Sequence, residues 1–275
     1  MLISVIIPIY NQIESLSLIL KAFNNQTDKD FEVVIADDGS NEVCRNKLQH
    51  LIDKCNYSVT HVYQEDLGFR AARVRNLAAM KSKGEYLVFL DGDCIPRKNF
   101  IAIHRKLSQH GFAVAGNRVL LSQKFTKYVI DEQKQIWDYS FLKWIVIFLC
   151  NGVNRLHPLI TFPIFNKFRN IKKKWTKVRT CNFGVFRKDF FLVDGFDMEF
   201  EGWGFEDSDL AIRLINTGVL IKTGRFASCV FNLFHQENDR SHHDENYARL
   251  QERINSDIVT AKFGISKISD QYFDK

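Results

Sequence analysis

Two carboxylates one residue apart, Asp91 and Asp93 around Gly92, follow the apolar run at 86–90, which reads as a buried strand. They stand where a strand ends and a turn begins, and in open α/β sheets ligands bind at the carboxyl ends of strands. Acidic side chains there can hold a hard divalent cation of the kind that bridges protein carboxylates to substrate phosphates. A nucleoside diphosphate would suit such a site. Asp-Gly is also ordinary turn chemistry, and that account would suffice for the pair taken alone. A second acidic pair, Asp37 and Asp38 before Gly39 and Ser40, ends another strand beside Pro8, Ile9, Tyr10 and Asn11 of the first. A carboxylate there can accept the imide N–H of uracil, and Tyr10 can pack on a base. Asp and Ser before a helix also serve as caps, so both accounts stand at this point.

Gly68 and Phe69 precede Arg70, Arg73, Arg75 and Asn76 at the start of a helix. Arginine at a helix N-terminus opposes the macrodipole; anion binding would explain the cluster, while a solvated basic face suits Arg70 better than Arg75. The loop Glu201, Gly202, Trp203, Gly204, Phe205 leads into a helix whose first turn carries Glu206, Asp207 and Asp209. Acids in a first helical turn suit the dipole. The dipole does not explain an aromatic ring on a glycine-rich backbone, an arrangement that can stack on a sugar face. A carboxylate beside that ring is placed to act as general base on a hydroxyl. His235 follows a strand-like stretch at 229–234, apart from His242 and His243. A neutral imidazole is a suitable further ligand for manganese, and the pair His242 and His243 competes with His235 for that role.

The elements that must hold these residues alternate in the first 120 positions. Strands are expected at 3–9, 31–36, 58–64 and 86–90, with helices at 14–23, 43–54 and 70–82 between them. That alternation implies parallel βαβ units with right-handed crossovers. Residues 124–179 break the pattern. They are dense in aromatics (Tyr128, Trp137, Tyr139, Phe141, Trp144, Phe148, Phe162, Phe165, Phe168, Trp175) and in cations (Lys143, Arg155, Lys167, Arg169, Lys172, Lys173, Lys174, Lys177, Arg179). Beyond them, strands are expected at 180–188 and 218–223, a helix at 206–216, and an amphipathic helix at 245–263 with a polar tail.

A chain of 275 residues with 45% apolar and 25% charged residues can bury a large core, and one extended α/β domain is the default. The net charge of +6 fits an anionic partner without choosing among nucleotide, acidic glycan, membrane surface and nucleic acid. The six cysteines, Cys44, Cys55, Cys94, Cys150, Cys181 and Cys229, have no metal-ligand spacing and read as reduced core fillers of a cytosolic chain. The apolar segment at 2–10 lacks a basic leader and reads as a strand rather than a signal peptide. No run of eighteen apolar residues occurs, so membrane contact is expected to be peripheral at most.

Taken in order, the motifs resemble an inverting glycosyltransferase of family 2. They are Val5 to Asn11, Ala36 to Ser40, Gly68 and Phe69 with Ala72 to Asn76, and Leu90 to Asp93. Val193 to Phe196 and Gly202 to Asp207 are similar to the C-terminal motif of galactosyltransferase-like and chondroitin-polymerase-like members. The resemblance implies a GT-A type fold: a Rossmann-like mixed sheet flanked by helices, one domain with an aromatic and basic insertion. It divides the chain into a nucleotide-sugar-binding half at 1–120, the insertion at 121–179, and an acceptor-binding and catalytic-base half at 180–275. It implies that Asp37 or Asp38 contacts uracil, and that Pro8, Tyr10, Asn11, Gly68, Arg75 and Asp91 line the nucleotide site. Asp93 and His235 would ligate Mn2+ or Mg2+, Asp207 would be the base, and Glu206, Trp203 and Gly204 would position the acceptor. Glu206, Asp207, Ser208, Asp209 is not an unbroken acidic run, so no role passes to Asp209.

The expected reaction is displacement of UDP from a UDP-sugar by an acceptor hydroxyl. The donated sugar would be a hexose or N-acetylhexosamine, and the setting bacterial surface polysaccharide, lipopolysaccharide or lipooligosaccharide synthesis. The expected partners are the donor and a glycan acceptor that could be lipid-linked, with no nucleic acid. The insertion either lies on the anionic cytoplasmic face of the inner membrane or packs as core beneath the acceptor site. Two other classes compete: a nucleotidyltransferase acting on sugar phosphates, which would release pyrophosphate, and a non-catalytic glycan-binding module, which would ignore UDP and metal.

Overall fold

The computed structural model describes residues 1–162, 169–171, 174–236 and 240–268. Phe165, Lys167, Phe168, Lys172 and Lys173 of the insertion lie outside the described residues. The first half runs β1 (Ile3–Ile9), α1 (Ile13–Asn24), β2 (Phe31–Asp37), α2 (Glu42–Ile52), β3 (Ser58–Tyr63), α3 (Ala71–Lys81) and β4 (Tyr86–Phe89). Then come β5 (Cys94–Pro96), α4 (Phe100–Leu107), β6 (Phe112–Ala115), β7 (Asn117–Leu120), α5 (Gln123–Asp131) and α6 (Phe141–Leu149). The chain continues through β8 (Asn170–Ile171), β9 (Phe183–Phe186), α7 (Arg187–Leu192), α8 (Glu206–Asn216), β10 (Leu220–Thr223), β11 (Cys229–Asn232) and α9 (His243–Ile254).

β1 and β2 are nearly all apolar and buried along their length, as parallel strands covered on both faces must be. Ile3, Val5, Ile7 and Ile9 pack with α1 and α2, while Ile6 faces the layer containing α3, α7 and α8. The main sheet has the order β3-β2-β1-β4-β9-β6-β10-β8. β1 to β4 are parallel; β9 runs antiparallel between β4 and β6. β5, β11 and β7 form a second sheet. The chain leaves β1 outward through β2 and β3, then returns to β4 on the other side of β1. The switch point therefore lies between β1 and β4, where the turn carrying Asp91 and Asp93 emerges. Gly92 lets that turn close on the end of β1: a Cβ there would stand 2.5 Å from the Pro8 carbonyl oxygen.

The expected α/β architecture and mixed sheet are found; several local expectations are corrected. The strand expected at 180–188 is a 3₁₀ turn, the four-residue β9, and the start of α7. Arg187 adds a last bond beside the β4–β9 ladder, its N–H donating to the Glu85 carbonyl, and its guanidinium reaches the Ala79 and Ser82 carbonyls as the chain enters α7. The helix expected to run to 263 ends at Ile254, because the following segment turns back onto buried Asp197, which accepts the Lys262 and Phe263 amides. Cys150 is exposed and Cys55 half-buried, so only the other four cysteines fill core. All six are free thiols. Among the described residues no helix is long and apolar enough to cross a membrane.

Candidate active site

The carboxyl ends of β1, β2 and β4 bring together most of the residues singled out in the first half. The Asn11 N–H donates to Ser40 Oγ at 2.9 Å and its Oδ1 accepts the Asn41 N–H at 2.9 Å, tying the first two loops together. Asp37 is fully buried, with His61 at 3.0 Å and the Ser40 N–H at 2.8 Å. Burial works to raise its carboxyl, but these hydrogen bonds hold it below its ordinary range. Asp38 is pushed upward by burial even though it accepts the Arg70 N–H at 2.8 Å and the Gln64 amide. Tyr10 is exposed, its hydroxyl donating to Asp66 Oδ2 at 2.9 Å. Gly68, with φ of 89°, shapes the same loop, and its N–H faces Asp66 at 3.3 Å. Asp66 is a residue the motifs did not mark.

Arg75 is buried and spans the two halves of the chain. One guanidinium nitrogen lies 3.0 Å from Asp91 and another 3.1 Å from Glu206. The neighbouring Asn76 makes a two-way backbone clamp on Phe196, donating to its carbonyl and accepting its N–H, both at 2.8 Å. The arginine that looked misplaced at a helix start thus draws the acidic turn after β4 and the acidic start of α8 together.

Asp207 sits beside Glu206 in that start. Burial first, and then the Glu206 charge, push its carboxyl up from an ordinary 3.8 to about 7, against the positive charges of Arg179 and Arg75 and a 3.2 Å hydrogen bond from Ser208. A carboxylate with that affinity for a proton can take one from a hydroxyl near neutral pH. Phe205, just before α8, holds φ of 73°, an uncommon conformation for a bulky residue. Trp203 is exposed, its indole stacked 6.2 Å from the His243 ring and 4.9 Å from the Arg240 guanidinium. Gly204 needs its positive φ of 109°, and its Cα faces open space. Arg179 had counted only as one cation in a basic run, so nothing in the sequence marked it as a charge that Asp207 feels. Asp209 turns away from this site. It is buried, paired with Arg213 at 2.6 Å and Arg253 at 3.1 Å, and these bonds tie α8 to α9.

Asp93 and His235 meet at 3.2 Å (Oδ2 to Nε2), and the other His235 nitrogen lies 2.7 Å from the Gln236 carbonyl. The Leu233 N–H donates to the Asp93 carbonyl at 2.8 Å, which fixes this approach. Burial, then the Asp91 charge, push the Asp93 carboxyl upward despite His235, Cys94 and Asn232 beside it. His242 and His243 stand elsewhere, at the start of α9, beside Glu245 and Asp244. Among the described residues no three His, Cys, Asp or Glu side chains form a metal cage. A carboxylate and an imidazole 3.2 Å apart, with a second carboxylate nearby, are donor types that fit an ion which keeps waters and takes its remaining oxygens from phosphate. Cavities of about 570 and 330 Å³ lie to the side of this acidic centre, sharing Arg70, Glu201 and His242; the smaller is walled by Phe69 and Trp203.

Comparison with known proteins identifies the family and the fold. The model of the family described as "Glycosyl transferase family 2" matches residues 4–191, and that of the "N-terminal domain of galactosyltransferase" matches residues 162–236. The chain is 28% identical over 241 residues to validoxylamine A glucosyltransferase of Streptomyces hygroscopicus subsp. jinggangensis, covering 82% of this chain and 54% of that protein. It is 28% identical over 256 residues to chondroitin synthase of Escherichia coli, covering 86% of this chain and 34% of the synthase. The chain therefore spans about half or less of the length of these relatives. The structure of GalNAc-T7 with UDP, GalNAc and Mn2+ superposes with a TM-score of 0.62 at 16% identity, over 91% of this chain and 48% of that one, which shows a shared GT-A fold. With the family match running from β1 through the turn of Asp91 and Asp93 into α7, the chain belongs to glycosyl transferase family 2.

Proposed function

We propose that this chain transfers a hexose or N-acetylhexosamine from a UDP-sugar to a glycan hydroxyl with inversion at the anomeric carbon. The observation that carries this reading is Asp207, a half-buried carboxylate raised to about 7, next in sequence to Glu206, which Arg75 links to Asp91 of the turn after β4. The acceptor oxygen forms its bond to the anomeric carbon as the bond from that carbon to the diphosphate oxygen breaks. The hydroxyl proton passes to Asp207, and the electron pair leaves with UDP. Trp203 and Gly204 offer the acceptor a ring and an open backbone, and Glu206 holds Arg75 in place. Asp37 or Asp38 contacts uracil, Tyr10 packs on the base, and Pro8, Asn11 and Gly68 shape the nucleotide pocket.

Asp93 and His235 would hold Mn2+ or Mg2+, which offsets the charge developing on a departing diphosphate. Support for a UDP donor and a divalent ion comes from GalNAc-T7, solved with UDP and Mn2+. The relative named chondroitin synthase supports a glycan acceptor. A lipid-linked acceptor in bacterial surface polysaccharide or lipopolysaccharide synthesis suits these features. The test is UDP release from a panel of UDP-sugars with Mn2+, with and without acceptor and chelator, and GDP-mannose as control. One UDP-sugar should turn over and chelation should stop it. Pyrophosphate as the product, or turnover of none of the panel, would reject the proposal.

A further inference from the structure

We propose that α6 is a membrane-docking face that seats the protein on an anionic bilayer beside its active site. The proposal stands on surface geometry and is independent of the reaction assigned above. α6 has the sequence FLKWIVIFL, yet Trp144 is its buried residue. Leu142, Val146 and Leu149 recur at helical spacing and are 75%, 60% and 73% exposed, with Phe141 and Phe148 exposed at their flanks. The helix is thus apolar on both sides, with an aromatic residue covered and an alkyl stripe left outward. The inward side is firmly anchored, since Trp144 stacks on Phe231 of β11 at 4.4 Å and 16°. Ser140 caps the helix by accepting the Lys143 N–H. A rigid stripe of this kind on a water-facing surface marks an interaction site.

Charge chooses the occupant. The three acids nearest the stripe in sequence are each paired with a lysine: Asp131 with Lys127, Glu132 with Lys134, and Asp138 with Lys98. From residue 139 to 188 the sequence has no acid at all. Exposed Lys124 of α5 and Lys143 of α6 itself therefore add positive charge to this surface, with Lys143 standing 3.4 Å from the Tyr139 ring. Two copies of such a face would repel each other, whereas acyl chains beneath anionic headgroups satisfy both features. The placement also has a use. Phe231 lies four residues before His235, and exposed Phe234 is tied to α5 by its N–H to Thr126 Oγ1 at 2.8 Å. Docking through α6 would therefore hold the mouth of the site close to the bilayer.

Flotation with vesicles of phosphatidylcholine, alone and with phosphatidylglycerol, tests this without donor, acceptor or metal. The protein should float with the anionic vesicles and less so in high salt. Combined Leu142→Gln, Val146→Gln and Leu149→Gln should reduce partitioning roughly tenfold or more, leaving the melting temperature and UDP-sugar hydrolysis unchanged. Failure to float on anionic vesicles would overturn the proposal, as would equal flotation of the triple variant. A dimer that the triple variant dissolves, with no vesicle binding, would make the stripe an interface between copies and would also overturn it.

Discussion

Replacing Asp207 with Asn should destroy transfer and stabilise the protein at the same time. The fold holds this carboxyl near about 7 against an ordinary 3.8, mainly through burial and then through Glu206. At about 1.4 kcal/mol per pH decade, keeping the group ionised costs the folded state at most ~4 kcal/mol. An Asn amide still bears the cost of a buried polar group, so the net gain at pH 8 is about half of that, ~2 kcal/mol. For a chain of this size that corresponds to about 4–8 °C in melting temperature. Because the folded value is the raised one, the folded state binds the extra proton. Its contribution to stability is full below 3.8 and is lost as pH rises through about 7. The advantage of the Asn variant should therefore grow from pH 4 to pH 8 and then level.

Two assays read this. Thermal unfolding of both proteins from pH 4 to pH 9 gives the stability difference, and UDP release in the presence of acceptor gives kcat/KM over the upper part of that range. The parent should show a rising limb near about 7, the value of the free enzyme's base. The variant should lose that limb and fall by about 10²–10⁴-fold. A parent profile flat from pH 6 to pH 8, together with an Asn variant less stable than the parent at pH 8, would refute the reasoning. Near-full transfer by the variant would by itself remove Asp207 as the base.

Two further substitutions separate scaffold from site. Asp209→Asn leaves fully buried Arg213 without its carboxylate and should lower stability by about 3–5 kcal/mol in a denaturant titration. Transfer per folded molecule should stay near that of the parent, and a catalytic loss without destabilisation would show that Asp209 does chemistry. His235→Ala should weaken Mn2+ binding in the presence of UDP by at least the roughly 10–100-fold that losses of outer-shell partners cost, read by calorimetry. His242→Ala should not, and the reverse pattern would move the ligand to α9.

The first half was legible because its signals are local. The buried runs of β1, β2 and β4 each end in a polar cluster, and parallel topology places those ends on one edge. Asp91, Asp38 and Asn11 needed only that edge to be located. What failed to read depended on distant partners. The helix expected to reach 263 has the right periodicity, but Asp197 captures Lys262 and Phe263 and draws the chain away. The run at 180–188 looks like one strand because the carbonyls that bind Arg187 lie about a hundred positions away in sequence. Arg179, whose charge Asp207 feels, was hidden in a run of cations. The insertion, with its apolar stretch at 144–149, read equally as core or as membrane contact, since periodicity cannot say which side of a helix is covered. Trp144 on Phe231 shows that the indole is the covered side.

Arg75 shows why four short motifs spread over the chain had to occur together. Its guanidinium lies between Asp91 and Glu206 in a site where Asp207 already sits at elevated proton affinity. Two bonded carboxylates on one buried cation leave the neighbourhood short of positive charge, with Asp93 and Asp207 both pushed upward. A single acidic motif here would be satisfied by one arginine and would have no excess negative charge to offer a ligand or a proton. The excess arises from two acidic motifs converging on that cation, one from the end of β4 and one from the start of α8. Asn76 clamping Phe196 is one of the contacts that hold the second half against α3. The fold brings these acids together against their mutual repulsion, and the raised proton affinity of Asp207 combines its desolvation, the larger cause, with the charge of Glu206.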